Sequence, residues 1–165
     1  MTGSFVHLRL RTEYSLEDSL VRIKSLIKNV VEQNMPAVAV TDFNNFFASV
    51  KFYKEAEVAG VKAILGADLR VSNRNDGGEK SHLLLLVQNV IGYKNLTEII
   101  SLAYKEGQRH GKPNIQLEWL NGRSINWAHA FAVVDYFADG NFTVHIVNII
   151  DGRTSLWGKE INAKV

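Results

Sequence analysis

The sequence predicts an α/β fold. Residues 1–120 read as an incomplete, barrel-like arrangement of mainly parallel strands, and residues 121–165 as an antiparallel β meander. Three observations carry this expectation. Short apolar runs alternate with stretches of helical spacing through the first part, which is the pattern of βα units. The alternation stops near Asn121-Gly122. From Ala130 onward, apolar runs follow one another with turn residues between them, and Asp151-Gly152 is a strong hairpin signal.

Residues 5–10 alternate apolar and polar side chains, apart from the adjacent Phe5 and Val6, and read as a strand. Asp18 or Ser19 is placed to cap the next helix. Leu20, Ile23, Leu26, Ile27, Val30 and Val31 recur on one face of it. Asn34 ends that helix, and Pro36 blocks its continuation because the residue before a proline disfavours the α conformation. Residues 37–40 form a short apolar run suited to a buried parallel strand.

Asn44 or Asn45 is expected to cap a second helix over residues 46–59, with Gly60 at its C-terminal end. Phe46, Val50 and Tyr53 share a face of it and are assigned to the core. Residues 63–71 read as a strand. Residues 73–80 form a polar loop with Gly77-Gly78 at its tip, and residues 82–87 form a further strand that is apolar on both faces. A long helix covers residues 93–106. In the last part, residues 130–137, 142–150 and 153–161 read as strands. Both faces of the middle one are partly apolar, so the meander is expected to pack on something.

A chain of 165 residues suffices for one ordinary core, and 46% apolar with 22% charged residues is globular composition. A net charge of +2 is far from that of a dedicated nucleic-acid binder, so weak or no nucleic-acid binding is expected. The absence of cysteine excludes disulfides, thiolate metal sites and a cysteine nucleophile, and agrees with a cytoplasmic location. No 18-residue apolar run indicates a membrane span, and Met1-Thr2-Gly3-Ser4 does not begin a secretory leader.

Residues 5–20, FVHLRLRTEYSLEDSL, and 35–71, MPAVAVTDFNNFFASVKFYKEAEVAGVKAILGADLRV, resemble the PHP domain that opens the alpha subunit of bacterial replicative DNA polymerase III. Gly92-Tyr93-Lys94-Asn95-Leu96-Thr97 and Leu117-Glu118-Trp119-Leu120 continue the resemblance, which then breaks. Residues 121–165 resemble, through Asp139-Gly140 and Gly158-Lys159-Glu160-Ile161, the C-terminal strands of phage calcineurin-like phosphoesterases, without that family's G-H-x-H motif. The chain therefore reads as an incomplete PHP-type barrel fused to a foreign meander.

The resemblance implies a metal site built on a His-x-His pair before T-x-x-S and on a T-D-H motif. Here Arg9, Arg11 and Phe43 stand in place of those imidazoles. A guanidinium stays protonated and repels a cation, and a phenyl ring cannot ligate one. Asp18, Asp42 and Asp68 stand at or near the motif carboxylates, close to the C-terminal ends of predicted strands, where α/β sheets place ligands. Three carboxylates hold a hard cation weakly but lack the imidazoles that polarise water in a phosphoesterase. The plainer reading makes Asp18 a helix cap, Asp42 a turn residue and Asp68 solvated or arginine-paired.

Arg9 and Arg11 share one side of a strand. They are expected either to pair with Asp42 and Asp68 and fill the old site, or to bind phosphate. Phe43 and Phe47 are further candidates to occupy the cleft. His7, His82, His110, His129 and His145 show no ligand spacing of the H-E-x-x-H kind, and no phosphate-binding glycine loop is present. No catalytic residue, metal or cofactor is expected.

The function implied is a non-catalytic scaffold that docks the proofreading exonuclease subunit of the polymerase. Alternatives are a recombinant or designed chimera without a cellular role, and a weak metal-dependent phosphoesterase. The polymerase carboxylate triad of the family lies far beyond this length. Open sheet edges make self-association a further expectation.

Overall fold

The computed structural model describes residues 5–16, 18–72, 80–116 and 119, together with the backbone of four strands within 131–164. The expected turns at 73–80, 138–141 and 151–152, and His129, lie wholly or mostly outside the described residues.

A 3-10 turn at Glu13–Ser15 precedes helix α1, Ile23–Glu32. Strand β1, Ala37–Phe43, leads through helix α2, Ser49–Val58, to strand β2, Lys62–Ser72. Strand β3, Lys80–Leu86, helix α3, Val90–Glu106, and the short strand β4, Ile115–Gln116, follow. The last part contributes β5, Phe131–Tyr136, β6, Asn141–Ile150, β7, Arg153–Leu156, and β8, Ile161–Lys164.

All eight strands belong to one open sheet in the order β1-β2-β3-β5-β6-β7, with β4 beside β2 and β8 beside β6. The fold class is the α/β class expected, and the sheet does not close into a barrel. Parallel pairing is confined to β1–β2 and β2–β4. The β2–β3 pair is antiparallel, because the residues between those strands are fewer than the dozen or so that a parallel crossover needs. The meander is antiparallel as expected, but it continues the same sheet edge to edge through β3–β5.

Register decides which side chains share a face. Val40 and Asp42 stand opposite Leu65 and Ala67, and Ala67 stands opposite Leu85. On this face Val38 and Val40 cluster with Ile23, Leu26, Ile27 and Phe52 from α1 and α2. Ala67, Leu69, Leu83 and Leu85 cluster with Leu96, Ile99 and Ile100 from α3. Helices α1, α2 and α3 thus cover one side of the sheet. The other side carries Thr41 and Phe43 on β1, Gly66, Asp68 and Arg70 on β2, and His82 and Leu84 on β3.

Gly66 makes the close strand approach on that second face. A Cβ there would lie 2.6 Å from the Leu85 carbonyl oxygen and 2.9 Å from Thr41 Cγ2, so no side chain fits.

Several sequence expectations shift. Residues 5–10 run beside β1 but are not a regular strand. The Ala39 and Thr41 amides donate to the His7 and Leu10 carbonyls, so two residues of β1 span three of the segment, the count of a bulge. The Leu10 amide donates to Thr41 Oγ1 rather than to a ladder carbonyl. Helix α1 starts only at Ile23, behind Arg22, and Asp18 is not its cap. Leu20 is consequently 94% exposed.

Helix α2 starts at Ser49, because Asn45 Oδ1 accepts the Phe47 amide in a preceding turn. Its buried stripe is Ala48, Phe52 and Ala56. The small alanines let the helix settle on the sheet through Phe52, which leaves Val50 and Tyr53 exposed rather than in the core. Helix α3 gains a cap that the sequence reading did not assign: Asn89 Oδ1 accepts the Gly92 amide at 3.0 Å.

Candidate functional site: an arginine-clamped aspartate

Asp68 lies on the face of β2 turned away from α1, α2 and α3, with 1% of its side chain exposed. A carboxylate buried this deeply requires hydrogen-bonded partners. Arg9 Nε and Nη2 donate to its Oδ2 at 3.0 and 2.7 Å, and Arg11 Nη2 donates to the same oxygen at 2.7 Å. His82 Nδ1 lies 3.1 Å from Oδ1. Arg11 also spans to Asp18, whose Oδ2 accepts from Nη1 at 2.8 Å.

These contacts place Asp68 well outside the usual carboxylate range. Burial alone would raise its pKa. The hydrogen bonds from His82, Arg11 and Arg9, with the charge of Arg9, outweigh burial and lower it to about 2.

Phe43 is the cross-strand partner of Asp68. Its ring forms a platform for the surrounding nitrogen groups. The guanidinium carbons of Arg11 and Arg70 lie 4.7 and 5.1 Å from its centroid, and the His82 ring stacks on it at 5.2 Å. Such cation–π contacts are worth about 0.5–2 kcal/mol. Arg70 faces His82 directly across β2–β3. Its backbone amide donates to Asn44 Oδ1 at 2.8 Å, while its Nε is buried with no acceptor. Asn44, in the left-handed conformation with φ 56°, also donates from Nδ2 to the Pro113 carbonyl at 3.2 Å.

Asp42 is not a turn residue and does not pair with the arginines. It is a strand residue on the helix-bearing face, by the alternation of β1. Its partners there are neutral: the Thr12 amide at 2.6 Å, Thr12 Oγ1 at 2.8 Å and Ser15 Oγ at 2.7 Å. Ser15 Oγ in turn accepts the Phe43 amide at 2.9 Å, which locks the 3-10 turn onto the end of β1.

Of the six positions singled out from sequence, Arg9, Arg11, Asp18, Phe43 and Asp68 converge, and Asp42 does not. Phe47 lies outside the cleft, with its ring exposed. Sequence reasoning missed His82 and Arg70. A loop over residues 73–80 would set Arg70 opposite Leu83, so the observed Arg70–His82 pairing, which brings both side chains to the side of Asp68, came only with the register.

The set does not fit a hard cation. The Asp68 oxygens are engaged by two guanidiniums and an imidazole, and among the described residues no three His, Asp or Glu side chains converge to hold a metal. No step through a metal follows from this arrangement. Among the described residues no helix is long and apolar enough to cross a membrane.

The chain has a family. Residues 7–152 match the model of the PHP domain, and the chain belongs to that family. It is 57% identical over 120 residues to DNA polymerase III subunit alpha of Pseudomonas fluorescens, covering 73% of this chain and 10% of that protein. To the same subunit of Escherichia coli K12 it is 44% identical over 116 residues, covering 70% of this chain and 10% of that protein. The chain thus spans about a tenth of the length of these relatives. A solved amidohydrolase from Chromobacterium violaceum aligns with a TM-score of 0.44 at 16% identity, over 61% of this chain and 34% of that one. None of these matches carries the calcineurin-like resemblance expected of residues 121–165.

Proposed function

We propose that the chain is a non-catalytic PHP-type scaffold in which arginines replace the metal. The carrying observation is the double clamp of Arg9 and Arg11 on Asp68 Oδ2. Two guanidiniums supply the positive charge that a metal would bring to the carboxylate, but they offer no open coordination position for water. The six positions Arg9, Arg11, Asp18, Asp42, Phe43 and Asp68 are, on this reading, the remnant of a metal site. The protein works in the cytoplasm, in DNA replication.

The partner proposed is the proofreading exonuclease subunit of the polymerase. Docking requires a surface, whereas catalysis requires ligands, so docking outlives the loss of the imidazoles. An interface of ordinary size needs about 800 Å² per partner. Calorimetric titration of the chain with that subunit tests the proposal. Heat and co-elution with a defined stoichiometry support it. Their absence at tens of micromolar overturns it and leaves a recombinant domain selected for folding alone.

A further inference from the structure

We propose that Arg70, with Phe43 and His82, forms a binding site for a single carboxylate on the face of the sheet opposite α1, α2 and α3. This inference is independent of the exonuclease reading. It starts from the one guanidinium of the cluster that has no carboxylate partner among the described residues. Arg9 and Arg11 are spent on Asp68, and Arg11 on Asp18 as well. Arg70 is held by packing instead. Its guanidinium lies over the Phe43 ring, and its Nε–H is buried without an acceptor. A buried donor of this kind carries a desolvation cost that an acceptor offsets.

Charge selects the ligand. On this face the described residues set three guanidiniums, Arg9, Arg11 and Arg70, against two carboxylates, Asp68 and Asp18. Among the described residues the positive charge without a carboxylate partner is that of Arg70. It balances one carboxylate, whereas a phosphate monoester brings about −1.5 to −2 charges and meets the field of Asp68 and Asp18. The planar fork of an arginine also matches a carboxylate in geometry. Phe43 and Arg70 are half-buried and the His82 side chain is 32% exposed, so the rim of the site meets solvent while the Arg70 Nε–H lies beneath it.

The carboxylate has two sources, a free small acid or an acidic side chain on a docked protein. Two grooves among the described residues lie elsewhere: one of about 430 Å³ between α1 and the segment containing His7 and Leu10, and one of about 200 Å³ beside α2.

The test follows the Arg70 Nε–Hε cross-peak in NMR spectra of the labelled chain. The probes are acetate, a capped peptide with one glutamate, its glutamine counterpart, and inorganic phosphate. The expected result is a saturable shift with acetate and with the glutamate peptide, and none with the glutamine peptide. Tighter saturation by the peptide assigns the site to a protein-borne acid, and equal saturation assigns it to a free one. An Arg70→Gln chain that keeps its Asp68 and His82 contacts should lose the response at the His82 imidazole resonances. Saturation by phosphate at lower concentration than acetate, an equal response to the glutamine peptide, or no movement of the cross-peak overturns the proposal.

Discussion

Phe43 and Asp68 are register partners across β1 and β2, so an aromatic ring stands directly beside a carboxylate that is 1% exposed. The ring excludes water on one side, and the arginines supply charge on the other. This pairing joins the end of β1 to the arginine clamp through Asp68.

Removing either end of the clamp has unequal effects. Arg11→Ala leaves Asp68 with Arg9 and His82, and the expected loss is about 1–2 kcal/mol, the scale of a charged hydrogen bond. Asp68→Ala strands the partly buried guanidiniums of Arg9 and Arg11 against one another, with an expected loss of about 3 kcal/mol or more. Urea unfolding of the two variants measures both. Equal losses would show that the clamp is not centred on Asp68.

The clamp also makes stability depend on pH. The folded pKa of Asp68 lies below its unfolded value, at about 2 against 3.8. Its contribution is therefore complete above about pH 4 and is lost as pH falls through 2. A shift of this size corresponds to about 2 kcal/mol. Comparing the parent with Asp68→Asn at pH 6 and at pH 2.5 measures it, and the gap between them should shrink at the lower pH.

Metal content discriminates the scaffold from a phosphoesterase. After purification without chelator, elemental analysis should find less than about a tenth of an equivalent of zinc or manganese. A stoichiometric metal would show that the arginines give way to a cation.

Gly66→Ala tests the close approach of β2 and β3. The added methyl meets the Leu85 carbonyl, Leu86 Cδ2 and Thr41 Cγ2 at 2.6, 2.8 and 2.9 Å. The carbonyl belongs to the sheet ladder and yields poorly, so a loss of about 1–3 kcal/mol is expected by thermal melting.

Deleting residues 121–165 removes β5 and uncovers the edge of β3 from Leu83 to Leu86. An open apolar edge pairs with other chains. The shortened chain should elute as large species in size-exclusion chromatography, and a cooperatively melting monomer would contradict the role given to the meander.

Local chemistry alone determined much of this protein. The helical spacing of Ile23, Leu26, Ile27 and Val30 and the block at Pro36 are properties of neighbouring residues. Arg9 and Arg11 also met one carboxylate as the alternation of a strand required, although their segment carries a bulge. The rest needed the tertiary structure. Helix α2 chose Phe52 over Val50 and Tyr53 because the sheet accepts one large ring between two alanines. Asp42 and Asp68 look alike in sequence but face opposite sides, one toward hydroxyls and one toward guanidiniums. Arg70 and His82 joined the site only through the β2–β3 register. Pairing across a sheet is non-local: a shift of one residue turns every side chain to the other face, and no property of either strand by itself sets that register.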